Sequence, residues 1–145
     1  MDIQAYTQRG RSVIQSAQTE ALTRDHQQLV PLHIMSALLQ EDGSLPRNLI
    51  QMSGAEVSAL ENAVSNGLGK LPQVQGGSGL SLSKDSAKIF ANAEKSAKAA
   101  GDAFVTVERL LLATILNADK DLRQALDVAN IDNSRLQEAI KSVRK

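Results

Sequence analysis

One internal offset constrains this chain more than any other feature. Sliding the sequence by 76 residues lays its first half on its second without a gap. Val13 falls on Ile89, Ile14 on Phe90, Ala17 on Ala93 and Ala21 on Ala97. Further along, Leu29 meets Val105, Ile34 meets Leu110, Ala37 meets Ala113 and Leu39 meets Ile115. Ile50 then meets Leu126, Met52 meets Val128, Leu60 meets Leu136, Ala63 meets Ala139 and Val64 meets Ile140. Each half carries four apolar stripes at helical spacing, so one four-helix unit is made twice. Thr7 falls on Ser83, and both residue types suit a helix N-cap. Pro31 and Pro46 stand where the first turn of a helix tolerates proline.

The fold class expected is therefore all-α: eight helices, in two four-helix repeats related by a pseudo-twofold axis. As domains, we expect one unit over 1–145. It comprises repeat 1 (about 4–68), a linker (69–82) rich in Pro and Gly, and repeat 2 (83–143). Aromatics make up only 2% of the 145 residues, so Ala, Leu, Ile and Val must build the core. Such side chains suit closely packed helices.

Charge and composition narrow the function. Lys plus Arg is 16 and Asp plus Glu is 16, giving no net charge. Nucleic-acid binding needs clustered cations and stacking rings, so it is not expected. Cysteine is absent, which removes thiol chemistry and thiolate metal sites. No apolar run reaches the length of a membrane span, and the expected location is the cytoplasm. Gly67-Leu68-Gly69-Lys70 is a fragment of a phosphate loop, but Leu71 stands where Ser or Thr would reach magnesium. His26 and His33 lack acidic companions at zinc-site spacing and read as structural histidines. No nucleophile elbow is present. Within Gly101–Glu108, Asp102 suits a turn, while Thr106 and Glu108 suit a helix start.

Pro31-Leu32-His33-Ile34-Met35-Ser36-Ala37-Leu38-Leu39 and Thr106-Val107-Glu108-Arg109-Leu110-Leu111-Leu112-Ala113 resemble the double repeat at the front of the Clp family of AAA+ unfoldases. The linker Lys70-Leu71-Pro72-Gln73-Val74-Gln75-Gly76 is similar to the ClpB subtype in particular. The resemblance implies a domain that binds unfolded or aggregated polypeptides. It would hand them to a hexameric, ATP-driven disaggregating ring that works with the DnaK system in stress recovery. The alternative is a docking domain for adaptor proteins, as in the ClpA and ClpC versions.

ATP and magnesium would belong to ring modules beyond Lys145. The domain itself is expected to be no enzyme and to need no cofactor. The family's substrate contacts carry over as Thr7, Asp102 and Glu108, with Phe90 and Phe104 as apolar neighbours. Arg109 departs from the family pattern, which more often has an apolar residue beside Glu108; Asn92 is a second polar departure, near Phe90.

Overall fold

The computed structural model describes residues 1–77 and 79–143. Among them are eight α-helices: α1 Gln8–Thr23, α2 Pro31–Leu39, α3 Leu45–Met52, α4 Val57–Gly69, α5 Lys84–Ala99, α6 Val107–Leu116, α7 Lys120–Val128 and α8 Asn133–Val143. The starts of α1, α2 and α4 recur at the sequence offset in α5, α6 and α8. Caps and turns recur with them. Thr7 Oγ1 accepts from the Gly10 amide at 3.0 Å, and Ser83 Oγ accepts from the Ser86 amide at 3.1 Å.

Helices α1 and α5 end alike. The His26 amide bonds to the Ala21 carbonyl, and the Asp102 amide to the Ala97 carbonyl, both at 2.9 Å. Asp25 and Gly101 hold left-handed φ values of 60° and 77°. These are the six-to-one bond and left-handed residue of a Schellman turn, which satisfies carbonyls that the helix end leaves open.

The halves interlock rather than stack. Helix α4 packs on α7 of the other half, and α3 packs on α8. At the centre, α2 and α6 touch. Every residue of α2 is buried, as its nearly all-apolar sequence requires. Tyr6 completes the exchange by meeting Phe90 edge to face, with centroids 6.3 Å apart.

A very small parallel pairing joins the halves as well. Strand β1 (Gln28–Leu29) pairs with β2 (Ser81–Leu82), matching Leu29 to Leu82. The repeat carries this pair onto Val105 and Tyr6, which form an isolated parallel bridge. Helical periodicity gives no hint of these pairings. Ser81 and Leu82, which read as plain linker, are anchored to the first half.

Candidate functional site

The loop between α5 and α6 is held at three points. Its entry is the Schellman turn at Gly101. Its middle is tied to the N-terminal segment: the Thr7 amide donates to the Val105 carbonyl at 3.0 Å, and the Val105 amide to the Ala5 carbonyl at 2.7 Å. Its exit is the start of α6, where Thr106 Oγ1 accepts from the Arg109 amide at 3.3 Å. These bonds place Thr7, at the head of α1, beside the segment that carries Asp102, Phe104 and Glu108.

The five nominated side chains differ in exposure. Phe104 is 49% exposed, a large ring with about half its surface open to solvent. Thr7, Asp102 and Glu108 are half-buried. Phe90 requires a correction: it is 1% exposed and packs in the core against Tyr6. It aligns with Ile14 in the repeat, at a position facing the core, so it serves the core and offers no contact to a client.

Asp102 is partnered within the chain. Its Oδ2 lies 3.1 Å from Nη2 of Arg109, whose Nη1 donates to Ser96 Oγ at 2.7 Å. Arg109 thus has a local role: it ties the loop to the base of α6. The other polar departure, Asn92, donates its side-chain amide to Asn117 Oδ1 at 2.7 Å.

The first half has its own version of this clamp. Under the repeat, His26 corresponds to Asp102 and His33 to Arg109. His26 Nδ1 and His33 Nε2 are 2.8 Å apart. His33 Nδ1 accepts from the Val30 amide at 2.9 Å. The neutral His33 ring therefore carries its proton on Nε2 and donates it to His26 Nδ1. Burial first, and then the neighbouring His26, hold His33 down to about 4; His26 is lowered too, by burial and by Arg24. The sequence contained a signal for this clamp, since both pairs fall on each other at the same offset. Only residue types that look unrelated hid it.

Sequence reading also missed the strap formed by Leu71, Pro72 and Val74. It forms one wall of a depression of about 210 Å³ whose other walls include His26, Gln28 and Val30. The Val74 amide donates to the Asp25 carbonyl at 2.8 Å. A wider groove of about 480 Å³ lies between α4 and α7, away from the five nominated residues.

Phosphate-loop chemistry finds no support in the backbone. Gly67 and Gly69 lie in the last turn of α4, and the Lys70 amide closes that turn on the Gly67 carbonyl at 3.2 Å. Among the described residues, no three His, Cys, Asp or Glu side chains are grouped to hold a metal. No helix among them is long and apolar enough to cross a membrane.

Comparison with known proteins agrees with this architecture. The family model described as the Clp repeat (R) N-terminal domain matches residues 5–129. Over 146 aligned residues the chain is 41% identical to the chaperone protein ClpB of Rhizobium meliloti (strain 1021), covering all of this chain and 17% of that protein. The Hsp104 N-terminal domain from Candida albicans has the same fold, with a TM-score of 0.85 at 20% identity, covering 96% of this chain and 91% of that one. So does a ClpV N-domain in complex with a VipB peptide, with a TM-score of 0.74 at 15% identity, covering 95% and 86%.

Proposed function

The chain belongs to the Clp repeat N-terminal domain family, and from that premise we propose that it is the client-engaging domain of a ClpB-type disaggregase. It binds unfolded or aggregated polypeptides and passes them to an ATP-driven hexameric ring, in cooperation with a DnaK-type chaperone. The chain spans 17% of its ClpB relative, so ATP, magnesium and the ring belong to the remainder of such a protein. The cytoplasm is where this work would take place, during recovery from stress.

One observation carries the reading: an exposed aromatic ring, Phe104, stands on a rigidly held loop between two carboxylates, Asp102 and Glu108, with Thr7 alongside. Unfolded chains offer apolar side chains together with free amides and cations. Covering the open half of a phenyl ring removes about 100 Å² from water, worth roughly 2–2.5 kcal/mol. Carboxylates beside it accept backbone or Lys and Arg hydrogens without demanding a sequence. A single contact of this size is weak, and several copies on one ring turn it into useful avidity. The ClpV N-domain in complex with a VipB peptide lends support, since a domain of this fold binds a peptide.

The test is anisotropy of fluorescein-labelled unfolded casein titrated with the 145-residue chain. Phe104→Ser and Glu108→Gln should weaken binding several-fold while the melting temperature holds. Unchanged affinity in both folded variants contradicts the reading. Binding to an adaptor protein in place of casein would assign the domain to the adaptor-docking type.

A further inference from the structure

Helix α5 carries four exposed lysines, Lys84, Lys88, Lys95 and Lys98. At 3.6 residues per turn they fall within an arc of about 80° and span about 21 Å of the helix. Ala87, Ala91 and Ala99 share this face and are exposed, so no bulky side chain interrupts the stripe. None of the four lysines belongs to an ion pair among the described residues. Carboxylates border the stripe without entering it. Asp85 stands on one edge, and on the other stands Glu94, which accepts from the Tyr6 hydroxyl at 2.7 Å.

The repeat does not require this charge. At the matching positions α1 has Gln8, Ser12, Thr19 and Leu22, none of them charged. The two cations that α1 does carry are engaged, Arg9 with Glu41 and Arg11 with the Tyr6 carbonyl. Nor does α5 gain from the stripe as a helix. Lys84 stands in its first turn, where the open amides favour an anion. Lys84 and Lys88 are four apart, and Lys95 and Lys98 three apart, spacings at which like charges repel. Only Lys98, in the last turn, suits its place. A solvated helix face mixes both signs, and this one holds a single sign. The stripe also leads into the candidate client site: α5 ends at Ala99, and the Asp102 amide closes that end on the Ala97 carbonyl at 2.9 Å.

We propose that the stripe holds an acidic segment of the unfolded client, extended along α5, while a neighbouring part of the same client engages the Phe104 loop. An extended chain with a carboxylate at every second residue presents one about every 6–7 Å on one face. Flexible lysine stems adjust to that repeat. The bordering carboxylates repel an anionic surface broader than a single chain, which disfavours a nucleic-acid duplex or a membrane plane. Single-stranded nucleic acid needs a ring to stack on, and the one ring of α5, Phe90, is buried. A lipid surface needs apolar side chains beside the lysines, and the stripe offers only alanine. The inference rests on the client-binding reading above and names a class of client: chains in which an acidic stretch adjoins an apolar one.

The probe is acetyl-Glu-Ser-Glu-Ser-Glu-Ser-Glu-amide, titrated at low salt into the ¹⁵N-labelled 145-residue chain. A peptide with lysine in place of each glutamate is the control. A Lys84→Gln/Lys88→Gln/Lys95→Gln/Lys98→Gln variant removes the stripe and leaves the Phe104 loop intact. Amide shifts from the acidic peptide should cluster at residues 84–99, and the basic peptide should give none there. The variant should bind the acidic peptide about 10-fold more weakly. About 1 M salt, where the screening length is about 3 Å, should abolish the binding. Affinity of the variant for labelled casein should fall several-fold while its melting temperature holds. Shifts lying outside α5, or equal peptide binding by the variant, overturn the inference. So does tighter binding of oligothymidylate or of phosphatidylserine vesicles through the same lysines, which assigns the stripe to phosphate. If the peptide binds the stripe but the variant keeps full affinity for casein, the stripe takes no part in client binding; the inference falls and the Phe104 site stands. If casein binding survives Phe104→Ser and Glu108→Gln, the client site itself is wrong, and a client shared between loop and stripe is wrong with it.

Discussion

Arg109 meets Asp102 at 3.1 Å in the position that His33 and His26 occupy in the first half at 2.8 Å. The same loop is thus clamped twice, once by an ion pair and once by two neutral rings. This gives Asp102 a duty to the fold besides any duty to a client. Both partners are largely covered, with side-chain exposures of 16% for Arg109 and 22% for Asp102. The pair therefore lies between the negligible surface case and the costly buried one.

Asp102→Ala should destabilise the domain by about 1–2 kcal/mol, because it strands a mostly buried guanidinium. Adding Arg109→Leu should recover much of that loss, since the stranded charge is then gone. Urea unfolding of the two single variants and the double variant forms a cycle that measures the coupling directly. Additive effects would mean that the clamp contributes nothing.

The histidine clamp predicts acid sensitivity. An unfolded histidine takes up its proton near pH 6.5, whereas His33 in the fold does so only at about 4. Between those values the unfolded chain holds more protons, so stability rises with pH across the window. His33 contributes fully above about pH 6.5 and loses its contribution as the pH falls toward 4. His26, also lowered, acts in the same direction. Thermal unfolding between pH 7.5 and 4 should show a falling melting temperature. A His26→Gln/His33→Gln double variant should flatten the slope over this window, and an unchanged slope would assign the acid sensitivity to other groups.

Tyr6 joins the halves through its hydroxyl. It donates to Glu94 Oε2 at 2.7 Å, and burial together with that carboxylate pushes its ionisation well up. Tyr6→Phe keeps the ring against Phe90 and loses the bond to a charged acceptor. It should cost about 1–2 kcal/mol. Tyr6→Ala also opens a cavity in the shared core and should cost about 3–5 kcal/mol. Near-equal losses in denaturant unfolding would show that the hydroxyl, and not the ring, does the joining.

The 145-residue chain should turn over no ATP. The amides of the Gly67–Lys70 fragment are engaged in the end of α4 and cannot cradle a phosphate. A coupled assay on the purified chain should read background, and turnover that copurifies with it through successive columns would contradict this.

The helices were legible because each buries one stripe, and a stripe leaves a period in the sequence. The offset that aligns Val13 with Ile89 also foretold equivalent caps at Thr7 and Ser83. Contacts made by one or two residues leave no period. The Leu29–Leu82 pairing and the strap at Leu71–Val74 were invisible for that reason. Phe90 was misjudged for a different one. An aromatic side chain draws attention as a binding group, yet its own place in the stripe beside Ile89 already marked it as core. Arg109 stood out only as a departure from the family pattern beside Glu108. Its partner lies seven residues back in the loop before α6, so the turn of the chain, and not the face of one helix, brings the two together.

The central claim is that the Thr7–Glu108 face binds unfolded chains. The most direct measurement is the affinity of a Thr7→Ala/Asp102→Asn/Glu108→Gln triple variant for labelled unfolded casein, alongside its unfolding curve. Loss of the Thr7 cap alone costs about 0.5–2 kcal/mol of stability, so the comparison is made at a temperature where the variant is fully folded. The account predicts a folded protein whose affinity falls at least several-fold. A folded triple variant that binds casein as tightly as the unaltered chain would contradict it.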